Sequence, residues 1–285
     1  NSSSSDEVQK EEREKLGQQP LVEARKLHVH FPTRRNFWGK VTEWVRAVDG
    51  VDLAIYANEV VALVGESGSG KSTLGQALIG LLPVTAGEVF LNGKLFSDSK
   101  GIQMRKSREN HRSRQNYQIV FQDTANSLNP RSTVEEILSR PLIEHRICSK
   151  EEVKKRVVEL LQMVELPADS LGRFPHAFSG GQRQRIAIAR ALTLRPKLLI
   201  CDEIVSALDV TVQAQILELL KRLKEELQLS ILFIAHDLAV VREFCDRALV
   251  LSSGRVVEEG PVAQLFAHPQ HSYTIQLLSA VPRIK

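Results

Sequence analysis

Hydrophobic residues alternate with polar residues early in the chain and form unbroken runs farther along it. Leu21–Phe31 and Val51–Ile55 alternate as half-buried strands do, whereas Val60–Val64 is continuously apolar, which is typical of a buried strand. Three further apolar runs predict buried strands: Leu198–Cys201, Ile231–Ala235 and Ala248–Leu251. The chain therefore has several strands, some of them buried on both faces.

Between these runs, apolar residues recur at helical spacing. The two clearest sets are Val153, Val157, Leu160, Leu161 and Val164, and Val212, Ile216, Leu219, Leu220, Leu223 and Leu227. Strands that alternate with helices predict an α/β fold with a largely parallel sheet. From about residue 123 to residue 196 there are helical signals and no clear strand, which predicts a helical subdomain. Residues 1–20 are almost wholly polar and predict a disordered tail or linker.

Composition narrows the class without indicating a chemistry. The 285 residues are 42% hydrophobic and 25% charged, which is typical of globular proteins and excludes collagen-like, mucin-like and wholly disordered chains. No apolar run approaches the ~20 residues that cross a bilayer, and the first 20 residues lack the apolar core of a signal peptide. The three cysteines have no metal or redox spacing, and a net charge of +4 does not favour nucleic acid as a partner. We expect a soluble cytoplasmic protein.

A glycine-rich loop supplies the first candidate chemistry. Residues 65–72, GESGSGKS, match the motif GxxxxGK[ST], follow the Val60–Val64 run and precede a helical pattern over Thr73–Leu82. Glycines let backbone N–H groups approach phosphate oxygens, and the helix directs its positive end at the same anion. Lys71 would reach the β- and γ-phosphates, and the Ser72 hydroxyl would bind Mg²⁺. The loop alone leaves kinases, GTPases, helicases and transport ATPases open.

An acidic pair supplies the second candidate chemistry. The apolar run from Leu198 ends in Asp202 and Glu203, and side chains at the carboxyl end of such a strand lie beside the phosphate loop in a parallel sheet. One acid would hold Mg²⁺ and the next would polarise a water molecule. We assign Asp202 to the metal and Glu203 to the water as general base.

Further motifs make the sequence resemble the ATP-binding cassette (ABC) ATPases. Phe178–Arg185 read FSGGQRQR, Gln122 matches that family's Q-loop, Ser206–Asp209 its D-loop and His236 its switch histidine. The resemblance implies a P-loop NTPase (RecA-like) core with an antiparallel β-subdomain and a helical subdomain, and ATP and Mg²⁺ as cofactors. It implies that Glu203, His236 and Gln122 are catalytic, and that Mg²⁺ is bound by Ser72, Gln122 and Asp202.

The same resemblance assigns the nucleotide contacts. On the phosphate loop these are Gly65, Ser67, Gly68, Ser69, Gly70, Lys71, Ser72 and Thr73; on the signature segment and D-loop they are Ser179, Gly180, Gly181, Gln182 and Asp209. In the family, the signature of one subunit faces the ATP of another, so the working unit would be a dimer. Phe31 matches the position that stacks on adenine, while Phe37, Trp38 and Trp44 remain alternatives.

Within the family, the chain looks most like the ATPases of peptide, dipeptide, glutathione and nickel importers. The supporting segments include SLNPR at 127–131, VSALDV at 205–210 and the tail HPQHSYT at 268–274. SGGQRQR resembles the second ATPase of a pair, or the second half of a tandem one. The resemblance implies an ABC ATPase domain over 21–260 and a C-terminal extension over 261–285. Its implied partners are a second ATPase subunit, two transmembrane permease subunits and an external substrate-binding protein, which would place the chain peripherally on the cytoplasmic face of the inner membrane.

The sequence departs from the family pattern at three positions. Thr124 and Ile204 stand where the family commonly has proline, and Ala177 replaces a usual acidic or amide residue, which affects loop stiffness rather than reacting groups.

Three alternative functions remain. An exporter or lipoprotein-release ATPase would share every catalytic residue but not the tail. A non-transport clamp acting on DNA or ribosomes would need long coiled coils or two cassettes. A regulator that does not hydrolyse ATP is disfavoured by the intact Glu203 and His236.

Overall fold

The computed structural model describes residues 19–35, 41–102, 115–123 and 127–279. The chain divides into two compact units: the first joins residues 1–113 to residues 230–285, and the second comprises residues 114–229. Most of the predicted tail over residues 1–20 lies outside the described residues, as do Phe37, Trp38 and Thr124.

Nine strands in the described part of the chain belong to the first unit. They are β1 (Val22–Arg35), β2 (Val41–Ile55), β3 (Val60–Val64), β4 (Ala86–Leu91), β5 (Lys94–Asp98), β6 (Gly101–Ile102), β9 (Ser230–Ala235), β10 (Arg247–Ser252) and β11 (Arg255–Pro261). Five of them form an antiparallel sheet in the order β2-β1-β4-β5-β6. Along β1, Val22, Leu27 and Val29 are buried, and polar residues between them are more exposed, as the alternating pattern predicts.

The other strands of the first unit surround β3. Strands β9 and β10 both run parallel to β3, and β11 pairs antiparallel with β10. At the carboxyl end of β3, Val64 lies level with Ala235 of β9 and with Val250 of β10. All five residues of β3 and all six of β9 are buried, which explains why these strands read as unbroken apolar runs. The predicted parallel strands are confirmed.

The helices described in the first unit are α1 (Lys71–Leu78), α6 (Leu238–Phe244), α7 (Val262–Ala267) and α8 (Ser272–Ser279). Helix α1 ends four residues before the sequence pattern suggested. Gly80 adopts φ +71°, its N–H donates to Ala77 O at 3.0 Å, and Leu81 N–H donates to Gln76 O at 2.9 Å. This Schellman arrangement stops the helix because it satisfies the last carbonyl groups.

Within its described residues, the second unit combines two strands with four α-helices. Strands β7 (Tyr117–Val120) and β8 (Leu198–Asp202) pair in parallel, and the helices are α2 (Val134–Glu144), α3 (Lys150–Met163), α4 (Gly180–Leu192) and α5 (Val210–Leu227). Residues 127–196 contain helices and two short 3₁₀ turns but no strand, as predicted. Leu227 is an exception to the predicted apolar face of α5, because it is exposed near the end of the helix.

A buried ion-pair network fastens the strands that carry the phosphate loop. Glu59 lies just before β3, and its carboxylate accepts from Arg247 Nε of β10 at 2.9 Å. Arg247 also pairs with Glu259 of β11. Burial alone would lower the pKa of Arg247, but the two carboxylates raise it above its ordinary value. Arg247 thus stays charged, and removing it would leave Glu59 buried without its cation.

In the parts of the chain that the structure describes, each helix is too short or too polar to span a bilayer.

Candidate nucleotide site

The phosphate loop connects β3 to α1 and is shaped by two glycines. Gly65 has φ +151° and Gly70 has φ +105°, a region that side chains rarely adopt. A Cβ on Gly65 would lie 2.2 Å from Leu251 O, and a Cβ on Gly70 would lie 2.0 Å from Ala47 O. The loop backbone therefore packs closely against neighbouring backbone, which is why glycine is required at both positions.

Two loop carbonyls hold the Lys71 ammonium. Nζ donates to Gly65 O at 2.8 Å and to Glu66 O at 2.9 Å, and the residue is only 4% exposed. An ammonium group has strong directional donors and a full charge, which suit it to phosphate oxygens. The loop thus positions a buried cation directly at the start of α1.

The start of α1 matches an anion site. Its N-cap residue is Gly70, which has no side chain that could cap the helix, and the first turn contains no acidic residue. The first N–H groups of a helix lack partners within the helix and favour an anion. Nearby, the buried Ser69 Oγ makes no hydrogen bond within the described residues. These features fit a bound phosphate group, as the motif Gly65–Ser72 predicts.

His236 lies at the same edge of the parallel strands as the phosphate loop. It follows Ala235, whose strand position is level with Val64, the residue before Gly65. The side chain of His236 is exposed. The first unit therefore brings the predicted phosphate loop and the predicted switch histidine to one strand edge.

In the second unit, the structure brings Gln122 and Glu203 together. Strands β7 and β8 are level at Val120 and Cys201, so both predicted residues follow the same edge. Gln122 Nε2 donates to Ser206 Oγ at 3.3 Å, and Ser206 Oγ donates to Glu203 O at 2.8 Å. Sequence reasoning placed Ser206 in the D-loop but missed this link between Gln122 and Glu203.

The two acids after β8 have different surroundings. Asp202 is 5% exposed, whereas Glu203 is partly exposed and adopts φ +49°, in the left-handed region. The preceding Cys201 is fully buried, and burial together with the Asp202 charge raises the pKa of its thiol. Cys201 is therefore a protonated core residue. A partly exposed Glu203 carboxylate has access to water, as a general base needs.

The signature segment forms a capped helix start. Ser179 is the N-cap of α4, where its Oγ accepts from Gln182 N at 3.3 Å and the Gln182 Oε1 accepts from Ser179 N at 3.0 Å. The helix starts at Gly180. Gly181 has a packing role, because a Cβ there would lie 2.4 Å from Val212 Cγ1. Ser179 and Gln182 are exposed, so the segment is accessible.

Asp209 caps the next helix. Its Oδ1 accepts from Val212 N at 3.0 Å, at the start of α5. The Asp209 side chain is exposed.

Two of the four candidate adenine platforms are described. Phe31 lies on β1 opposite Val45 and is partly buried. Trp44 lies on β2 opposite Pro32 and is 53% exposed. Both rings are thus on the hairpin that precedes the phosphate loop.

A cluster of charged and imidazole groups lies on the same hairpin. Asp49 Oδ1 is 3.1 Å from His28 Nδ1 and 3.7 Å from His30 Nε2, and its Oδ2 is 2.7 Å from Arg255 Nη2. Arg255 holds the pKa of the Asp49 carboxyl below its ordinary range, with smaller contributions from His28 and Arg46. His28, His30 and Asp49 could surround a cation, but Arg46 and Arg255 already neutralise the carboxylate. We interpret the cluster as structural.

Backbone hydrogen bonds connect this cluster to the phosphate loop. Asp49 N donates to Gly254 O at 2.8 Å, and Gly254 N donates to Ser69 O at 2.9 Å. The antiparallel sheet thus supports the loop through Gly254. Sequence reasoning could not find this support, because Asp49 and Gly254 are far apart in the chain.

Comparison with known proteins identifies the family. The sequence model of the family described as ABC transporter matches residues 48–206. The oligopeptide transport ATP-binding protein OppF of Lactococcus lactis is 44% identical over 264 residues, which cover 93% of this chain and 81% of that protein. The glutathione import ATP-binding protein GsiA of Pectobacterium atrosepticum is 43% identical over 93% of this chain and 41% of its own length.

A solved structure agrees with these sequence relatives. The ATP-binding cassette MJ0796, in a dimeric post-hydrolysis state with ADP and Pi, superposes with a TM-score of 0.72 at 32% identity. The superposition covers 85% of this chain and 98% of that one. The predicted fold class is confirmed. The chain therefore belongs to the ABC transporter family and is an ATP-binding, ATP-hydrolysing cassette of that family.

Proposed function

We propose that this chain is the ATP-hydrolysing subunit of an importer for peptides or related small substrates. The observation that carries the proposal is its similarity to OppF and GsiA, each of which aligns with 93% of this chain. Those relatives are named for oligopeptide transport and glutathione import. The tail HPQHSYT, which the exporter alternative would not be expected to carry, favours the same conclusion.

In this proposal the phosphate loop binds the phosphate groups of ATP. The residues that contact them are Gly65, Ser67, Gly68, Ser69, Gly70, Lys71, Ser72 and Thr73. The uncapped start of α1 and the buried Lys71 ammonium support these assignments. Phe31 is our choice for the adenine platform, since its ring is partly buried on β1 while that of Trp44 is largely exposed.

Mg²⁺ would be bound by the side-chain oxygens of Ser72, Gln122 and Asp202. Hydroxyl, amide and carboxylate oxygens are the ligands that Mg²⁺ prefers, and the ion would neutralise charge on the transferred phosphoryl group. Glu203 would accept a proton from the attacking water, and His236 would donate a hydrogen bond to the γ-phosphate. The hydrogen-bonded link from Gln122 through Ser206 to Glu203 supports a coupled response of these residues.

The signature segment would act on the ATP of a second cassette. The residues in this role would be Ser179, which is the N-cap of α4, then Gly180, Gly181 and Gln182 in its first turn, and Asp209. An accessible Ser179 hydroxyl at a helix N-terminus suits a phosphate group. The dimeric state of MJ0796 supports a paired arrangement, in which the second subunit is either another copy or a related cassette.

The remaining partners would be two transmembrane permease subunits and an external substrate-binding protein. In such an assembly the chain would lie peripherally on the cytoplasmic face of the inner membrane. We propose residues 122–131 as the contact with the permease. Arg190 Nη1 of α4 donates to Ser127 O at 2.6 Å, so this segment is tied to the signature helix and could transmit its movement.

Purification of the complex tests this assignment of partners. The tagged chain, extracted from membranes in detergent, is expected to retain two permease subunits and a second cassette, identified by mass spectrometry. Arg131→Glu should reduce permease recovery several-fold, because it reverses an exposed charge in the proposed contact. Arg195→Glu, a matched reversal at another exposed arginine of the second unit, should not. Equal recovery in both variants would contradict the contact, and purification without any permease would contradict the importer.

A further inference from the structure

Tyr273, near the start of α8, reaches the phosphate loop. Its phenolic oxygen accepts a hydrogen bond from Glu66 N–H at 2.9 Å, although 207 positions separate the two residues. The side chain of Tyr273 is partly buried. In the sequence, Tyr273 belongs only to the tail motif and has no assigned chemistry.

The peptide unit between Gly65 and Glu66 is held at both of its polar groups. Its carbonyl, Gly65 O, accepts from Lys71 Nζ at 2.8 Å, and its N–H is the group that donates to Tyr273. A peptide unit is planar, so fixing the direction of its N–H also fixes the direction of its carbonyl. Tyr273 therefore controls the orientation of a carbonyl that holds the Lys71 ammonium.

A carboxylate on β11 fixes the segment that carries Tyr273. Glu258 Oε1 accepts from Gln270 N at 2.8 Å, and Glu258 Oε2 accepts from His271 N at 2.9 Å. His271 Nδ1 in turn accepts from Tyr273 N at 3.2 Å. The tyrosine is thus fixed by a short series of hydrogen bonds that begins at one carboxylate.

Strand register places that carboxylate at the level of the loop. Glu258 lies opposite Val250 of β10, and Val250 is level with Val64, the last residue of β3 before the loop. Next to Tyr273, Thr274 is 2% exposed, so the start of α8 is packed against the first unit. The anchor and the loop therefore share one rigid set of paired strands.

We propose that Tyr273 is a positioning residue for the phosphate loop, a role that rests on the proposed binding of ATP at Lys71. Its hydroxyl keeps the Gly65–Glu66 peptide from turning. When ATP draws the Lys71 ammonium toward its phosphates, Gly65 O loses a hydrogen bond, and the bond to Tyr273 remains to hold the peptide. Without the hydroxyl, the loop samples more orientations before ATP binds, and the affinity for ATP falls.

Tyr273→Phe tests the proposal because it removes only the oxygen. The Kd for Mg·ATP, measured on the purified chain by equilibrium dialysis, should rise about five-fold, the size expected for one lost hydrogen bond. The kcat at saturating ATP should stay within about two-fold, since the bond acts equally on bound ATP and on the transition state. Tyr117→Phe, which removes a hydroxyl from the second unit, is the matched control and should leave Kd unchanged.

A double variant separates positioning from general stability. Glu258→Ala should raise Kd by a similar factor. Adding Tyr273→Phe to it should raise Kd no further, because both changes break the same series of hydrogen bonds. If the two substitutions raised Kd multiplicatively, the hydrogen bonds from Glu258 to Tyr273 would not act as one unit, and the proposal would be overturned. An unchanged Kd in Tyr273→Phe, or a lower thermal midpoint with no change in Kd, would also overturn it. Failure of the wild-type chain to bind ATP would instead overturn the proposed function itself.

Discussion

Glu203→Gln is expected to lower the kcat for ATP hydrolysis by about 10²–10⁴-fold, the range in which a positioned general base contributes. The amide keeps the size of the carboxylate and loses its ability to accept a proton from water. The Kd for ATP should stay within about two-fold, because the proposed binding groups are untouched. The Glu203 backbone conformation, at φ +49° with its carbonyl held by Ser206, does not depend on the side-chain charge.

Turnover and binding are measured separately for this variant. Phosphate release at saturating ATP reports kcat, and equilibrium dialysis with labelled ATP reports Kd. Glu218→Gln, the same change at an exposed position of α5, is the control and should leave both quantities unchanged. A kcat for Glu203→Gln equal to that of the wild type would move the general base to another residue.

Lys71→Ala is expected to act on binding itself. A hydrogen bond from a charged group is worth about 1.5–3 kcal/mol, so losing the ammonium should raise the Kd for ATP at least about ten-fold. The residue is also buried, and its removal leaves space beside the loop. Lys71→Met fills that space without the charge.

The pair of Lys71 variants distinguishes charge from packing. Both should bind ATP weakly by equilibrium dialysis if the ammonium contacts the phosphates. Recovery of wild-type affinity in Lys71→Met would show that Lys71 acts only by filling space. A Kd for Lys71→Ala equal to that of Glu203→Gln would contradict the assignment of these two residues to binding and to catalysis.

The parts of the fold that sequence predicts well are those where burial leaves a simple pattern. Val60–Val64 is buried at every position, and its strand bounds agree with the apolar run. Strand β4 is mostly exposed or partly exposed along its length, so no alternation marks it. The end of α1 was also missed, since Gly80 acts through its φ rather than through hydrophobicity.

For the candidate site, sequence predicts local geometry better than long-range contacts. The phosphate loop and the Ser179 helix start depend on residues within a few positions of each other, so their motifs suffice. The hydrogen bond from Glu66 to Tyr273 depends on strand register through β10 and β11, which no short motif encodes.

ATP-driven uptake tests most directly whether this cassette powers a peptide importer. The complete transporter, reconstituted in vesicles with ATP on the cassette side, would receive a labelled peptide on its binding protein from the other side. From the proposed importer function, we expect peptide accumulation that requires ATP and is lost with Glu203→Gln, together with faster ATP hydrolysis when loaded binding protein is present. Accumulation that is equal with wild type and Glu203→Gln, or ATP hydrolysis that accompanies no peptide uptake, would contradict it.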